Sequence, residues 1–99
     1  MGVYDDLENC VGFDWDSGNQ NKNWEKHRVS DGETEEIFFN DPLVAGSDEA
    51  HTKKERRYFV LGLTNARRPI FLAFTIRNNL IRVISAREMT IREQRRYTS

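Results

Sequence analysis

The sequence predicts an α+β fold: two helices in its first half and one at its C-terminal end, packed on a mainly antiparallel sheet. Three observations carry that prediction. Three β-rich runs follow one another between Arg56 and Arg87 with short breaks, the pattern of consecutive antiparallel strands. Ser30-Asp31-Gly32-Glu33 and Thr90-Ile91-Arg92-Glu93 are capping-box patterns, in which the hydroxyl and the carboxylate satisfy each other's exposed amides. Asn40-Asp41-Pro42 separates helical from β-rich sequence, because proline stops a helix.

Residues 1–12 have weak periodicity and are expected to form a loosely ordered extension, ahead of a single domain spanning 13–99. Val11 to Trp15 reads as a short strand, with Asp16 or Ser17 capping a helix from about Gly18 to His27. Gly18, Asn19, Asn21 and Asn23 give that helix poor propensity, so packing must hold it. A second helix runs from the Ser30 cap to about Phe39, with Ile37 and Phe38 toward the core. Leu43 to Ala45 suggests a short strand, and Gly46 to Lys54 a polar loop. Strands then cover Arg56–Leu63, Ile70–Arg77 and Leu80–Arg87. Asn78-Asn79 suits a tight hairpin, since asparagine tolerates positive φ. The second capping box opens a terminal helix reaching about Tyr97. The predicted order is β-α-α-β-β-β-β-α.

Charge is sorted along the chain. Residues 1–50 hold 13 acidic side chains against three basic ones, and residues 51–99 hold 12 basic against three acidic. A net charge of −1 therefore hides a polarised molecule, whose basic, aromatic-bearing half suits a polyanion. The alternative is that the two halves neutralise each other in the fold. The longest apolar stretch, Pro69 to Ile76, is too short to span a bilayer. The acidic start lacks a signal pattern, and Asp6 stands where a myristoylation signal needs Ser or Thr. Cys10 is alone, which excludes an intrachain disulfide or a cysteine zinc site. These features lead us to expect a cytoplasmic protein.

Several ordered segments resemble the BrnT family of bacterial type II toxins, a branch of the RelE-like ribonuclease fold. They are Phe13-Asp14-Trp15-Asp16, Asn23 with Lys26-His27 and Val29, and Phe38 with Asp41-Pro42. Glu55-Arg56-Arg57-Tyr58 with Gly62, Arg82-Val83-Ile84-Ser85-Ala86-Arg87, and Thr90-x-x-Glu93-x-x-x-Tyr97 complete the set, which spans about 13–97. The resemblance implies a RelE-like fold and a small endoribonuclease that inhibits translation when free. It also implies a cognate ribbon-helix-helix, BrnA-like antitoxin, whose complex with the toxin represses their operon. Three positions depart from the family pattern. Arg28 stands where Gly usually follows the Lys-His pair, Ser17 replaces a frequent Pro, and Asp31 replaces an aromatic or apolar residue.

Cleaving RNA without a metal needs a base for the ribose 2′-hydroxyl, cations for the phosphorane-like transition state and an acid for the leaving oxygen. No metal, Walker or Cys/His motif is visible, so neither metal nor cofactor is expected. Candidate catalytic residues are His27, Arg57, Arg82 and Arg87. Histidine titrates near neutral pH, and guanidinium forks grip phosphate bidentately. Period-2 counting places Arg57 with Phe59 and Leu61. It puts Arg82 and Arg87 on opposite faces of their strand, so one is structural unless the strand ends or bulges before Arg87. Candidate RNA-binding residues are Lys26, a basic ridge of Arg92, Arg95 and Arg96, and Tyr97. The structural alternatives are a helix-capping role for His27, ion pairs for the arginines and packing for Tyr97. His51, in a polar loop beside Asp48 and Glu49, reads as a solvated residue, and Trp15 and Trp24 as packing residues.

The expected partners are RNA and the antitoxin, with two toxins carried on an antitoxin dimer and operator DNA reached only through it. A seven-residue helix after a sheet is no helix-turn-helix, so direct DNA recognition is not expected. A competing reading is a non-catalytic module that only binds the antitoxin.

Overall fold

A computed structural model describes residues 2–51 and 54–98 of the chain. Its elements are α1 (Val3–Glu8), β1 (Gly12–Phe13), α2 (Lys22–His27), α3 (Asp31–Ile37), β2 (Val44–Ser47), a 3₁₀ turn (Glu49–His51), β3 (Tyr58–Leu63), β4 (Pro69–Arg77), β5 (Leu80–Glu88) and α4 (Ile91–Thr98). The five strands form one sheet in the order β1-β5-β4-β3-β2. Every pairing is antiparallel except that of β1 with β5. No helix among the described residues is long and apolar enough to cross a membrane.

Both capping boxes form. Ser30 Oγ accepts from the Glu33 amide at 3.1 Å while the Glu33 carboxylate accepts from the Ser30 amide at 2.9 Å. Thr90 and Glu93 make the same pair of bonds, at 3.1 and 2.9 Å. Asn78 and Asn79 both adopt positive φ, 52° and 62°, closing the β4–β5 hairpin as a tight turn requires.

Residues 1–12 depart from the expected loose extension. Six of them form α1, whose Val3 and Leu7 pack against the core while the Tyr58 hydroxyl donates to Asp6 at 2.9 Å. So short a helix has little stability of its own, and these tertiary contacts supply it. The expected helix from Gly18 shrinks to α2. Asp16 receives the Gly18 amide on its carboxylate and the Gln20 amide on its carbonyl, both at 2.8 Å, and this turn occupies the expected first helical turn. The expected polar loop also differs: β2 extends to Ser47 and the 3₁₀ turn follows, while residues 52 and 53 lie outside the described residues.

The core lies between the sheet and the three N-terminal helices. Val29 and Ile37 meet Val60, Ile70, Leu72, Phe74, Val83 and Ala86, all nearly or wholly buried. Close approach of α3 to β3 requires Gly62, where an added Cβ would stand 2.4 Å from Ile37 Cγ2. Beyond the two residues of β1, side chains continue the ladder along β5. Asn19 Nδ2 donates to the Val83 carbonyl at 3.3 Å, and Asn23 Oδ1 accepts from the Ala86 amide at 2.9 Å. Leaving that buried amide unpaired would cost roughly 1–3 kcal/mol, which explains Asn23 in a helix that its propensity disfavours.

A bulge in β5 decides which way its arginines face. Ala73 pairs with Ser85 but Phe74 pairs with Val83, so Ile84 has no opposite number. Ile81 and Val83 before the bulge, and Ala86 after it, are buried on the helix-covered face. Arg82 and Arg87 therefore share the outer face, with Thr75 and Phe71 as their cross-strand partners.

Candidate functional site

At the Arg82 end of the outer face lies a cleft of about 500 Å³ lined by His51, Lys54, Glu55, Arg57, Thr75, Arg77, Arg82 and Ile84. Four cationic side chains there face one carboxylate. Strand pairing creates this concentration, since β4, β5 and the segment leading into β3 deliver residues far apart in sequence to one end of one face. The Arg56 carbonyl accepts from Thr75 Oγ1 at 2.8 Å, and the Arg57 carbonyl accepts from the Asp48 amide at 2.8 Å. The second bond ties the 3₁₀ turn to the start of β3 and so brings His51 to the cleft.

Two of the arginines are oriented by carboxylates. Arg82 donates to both oxygens of Asp16, at 3.0 and 2.9 Å, with Asp14 at 3.5 Å on the same guanidinium. The Arg82 hydrogen bond, aided by the Gly18 amide, holds the Asp16 carboxyl below the usual range. Arg77 donates to both oxygens of Glu55, at 2.5 and 2.6 Å. A phosphate entering the cleft must take over part of this bonding. The exposed carboxylates can relax into water as it does so.

His51 is 66% exposed, as its polar surroundings in the sequence suggest, and its Nδ1 also lies 3.0 Å from both oxygens of Asp48. A carboxylate on one ring nitrogen fixes the orientation of the ring.

The other predicted residues fall elsewhere. His27 ends α2, is exposed, and contributes its carbonyl to Arg68 Nη2 at 3.4 Å; it is not among the cleft residues. Lys26 is exposed on the same helix, also away from the cleft. Arg28, at the family's glycine position, adopts the left-handed cap itself, with φ 56°, and its guanidinium lies 5.3 Å from the Trp24 ring. A non-glycine residue there costs about 1–2 kcal/mol. Asp31, the other departure, accepts the Asn21 amide on its carboxylate at 3.0 Å and joins the starts of α2 and α3. Trp15 packs on the core and donates to Glu35 at 2.7 Å.

Arg87 is a clamp for α4. Its guanidinium donates to both Glu93 oxygens at 2.7 and 3.0 Å and lies 4.4 Å from the Phe71 ring centre. Arg92 and Arg95 are exposed on α4, whereas Arg96 lines a second groove beside the helix. The Tyr97 hydroxyl donates to the Pro42 carbonyl, anchoring the helix C-terminus. Arg68, not singled out from the sequence, joins three elements through Glu33 at 3.2 Å, Glu88 at 2.8 Å and the Arg28 carbonyl at 2.6 Å. No spacing links these residues; only the opposite charges of the two halves hinted at such a hub.

The Arg87 hydrogen bond, then the Thr90 amide, depresses the Glu93 carboxyl. A folded pKa below the free value near 4.3 adds stability above that pH, lost as pH falls through the depressed value. Arg87→Gln is therefore expected to lower stability by about 1 kcal/mol at pH 7. Its melting temperature should approach that of the parent as both are titrated from pH 5 to pH 3. A gap that stays constant with pH would show that the clamp acts through packing alone.

A family model described as "Ribonuclease toxin, BrnT, of type II toxin-antitoxin system" matches residues 15–93. No curated protein matches the chain.

Proposed function

The chain belongs to the BrnT family of type II toxin–antitoxin ribonuclease toxins, and from that premise we propose that it is a metal-independent endoribonuclease whose cleavage of RNA inhibits translation until an antitoxin neutralises it. One observation carries this reading: Arg57, Arg77 and Arg82 line the same cleft as a histidine backed by a carboxylate. Its α+β order, with consecutive antiparallel strands between helices, supports a RelE-like fold. Action on cytoplasmic RNA goes with that reading.

In the proposed reaction the arginines receive the scissile phosphate, with Arg82 turning from Asp16 to a non-bridging oxygen. His51 Nε2 takes the ribose 2′ proton as the 2′ oxygen attacks phosphorus. The 5′ oxygen departs and takes the proton back from the imidazolium, leaving a 2′,3′-cyclic phosphate and a 5′-hydroxyl. Guanidinium bonds shorten as charge gathers on the phosphorane oxygens, which is where rate acceleration arises. His51 thus takes the acid–base duty expected of His27. Arg87 supports the site by holding α4. Lys26 and the Arg92, Arg95 and Arg96 ridge are assigned to RNA flanking the cut.

Purified, antitoxin-free protein is expected to cut RNA in EDTA and to leave cyclic-phosphate or 3′-phosphate ends. Intact RNA after prolonged incubation with folded protein would exclude the activity. The partner is proposed to be a ribbon-helix-helix antitoxin dimer carrying two toxins, with salt-sensitive contacts across the basic face. The carboxylates already bonded to Arg77 and Arg82 favour one second reading, a non-catalytic module that only binds antitoxin. Expression of the chain alone separates the two: growth arrest belongs to the enzyme, harmless accumulation to the module.

A further inference from the structure

We propose that the groove between β2, β3 and α4 is a nucleobase platform, on which a base of the bound RNA stacks against Phe59. The inference rests on the reading of the neighbouring cleft as an RNA site. The groove measures about 320 Å³, and Val44, Phe59, Leu61 and Phe71 supply its apolar lining. Its aromatic floor is built by the fold. Phe59 leans across the adjacent strand over Gly46, where an added Cβ would lie 2.7 Å from two of its ring atoms. The Phe59 and Phe71 rings lie 6.1 Å apart and only 12° from parallel. Arg87, fixed by Glu93, covers Phe71 and keeps that ring in place.

Continuity with the cleft identifies the occupant. Arg57, just before β3, and Phe59 within it are two residues apart, roughly 7 Å along an extended chain. Asp48 lines the groove and also holds His51, which lines the cleft. A strand whose phosphate lies among the cleft arginines therefore carries an adjoining base over the rings. Sheet-surface aromatics beside cations are a recurring way to hold single-stranded RNA, and ring stacking tolerates any base. The Asp48 and Glu93 carboxylates are already engaged with His51 and Arg87. The platform thus contributes affinity and register more than sequence choice.

The test compares a fully 2′-O-methylated RNA decamer, which cannot be cut, with an equally 2′-O-methylated abasic ribose–phosphate decamer of the same length. Fluorescence anisotropy of the parent protein should show the base-bearing decamer bound about 10–100-fold more tightly. Phe59→Ala, and the bulkier Phe59→Leu that keeps the groove filled, should each erase most of that preference. Neither should change binding of the abasic decamer, while Phe59→Trp should retain the preference. Equal binding of both decamers by the parent, or an undiminished preference in Phe59→Leu, overturns the platform. So does a Phe59→Leu variant that loses only antitoxin binding, which would give the groove to a protein segment. Failure of the parent to bind either decamer would instead remove the RNA reading of the cleft and the platform with it.

Discussion

Replacing His51 by glutamine is expected to slow RNA cleavage by about 10²–10⁴-fold, the range for losing a general acid–base residue. Glutamine keeps the size and a donor of the imidazole but cannot take the 2′ proton and return it. His51 is exposed, and its ring is bonded to a residue three positions away, so the melting temperature should barely move. The same substitution at His27 is the internal control. His27 stands at the end of α2, not among the cleft residues, and with the acid–base role proposed for His51, His27→Gln is expected to leave the rate within about twofold. Single-turnover cleavage of one RNA by both variants decides the matter. Full activity in His51→Gln, with loss in His27→Gln, would reverse the assignment.

Arg82→Ala carries the second large effect, a loss of about 10²–10³-fold in the cleavage rate. Its guanidinium is held by Asp16 in a two-pronged bond and can present the same fork to phosphate. Arg82→Lys should recover only part of the rate, because an ammonium is a point charge and cannot bridge two oxygens in a fixed plane. Asp16→Asn sharpens the test. It weakens the resting ion pair, so RNA should bind more tightly and with a steeper salt dependence. If Arg82→Ala binds and cuts RNA like the parent, Arg82 is only a strut between β5 and the Asp14–Asp16 segment.

The cleft was half legible in the sequence. Arg57 and Arg82 read from the sequence as charged residues on strands, and the structure brings them into one cleft. His51 reads as solvated, because its sequence neighbours are acidic and polar. Those neighbours are what make it serviceable: Asp48 orients the ring, and the Asp48 amide bond to Arg57 delivers the turn to the cleft. The ion-pair alternative for the basic half is partly met. Arg82 and Arg68 reach acidic residues of the first half, whereas Arg77 and Arg87 find theirs within the second.

The sequence by itself determined what is settled within about four residues: two capping boxes, an Asn-Asn turn and the alternation of three strands. In each, local backbone geometry brings the interacting groups together whatever the rest of the chain does. Its ordered motifs also determined the family. Only the tertiary structure decided the faces and neighbours. A one-residue bulge at Ile84 moved Arg87 to the same side as Arg82, because each inserted residue inverts everything beyond it. Packing on the core gave α1 an order its own length could not. The Asp48–Arg57 bond and the strand register together placed His51 beside Arg57, Arg77 and Arg82, and that relation exists only once the sheet has formed.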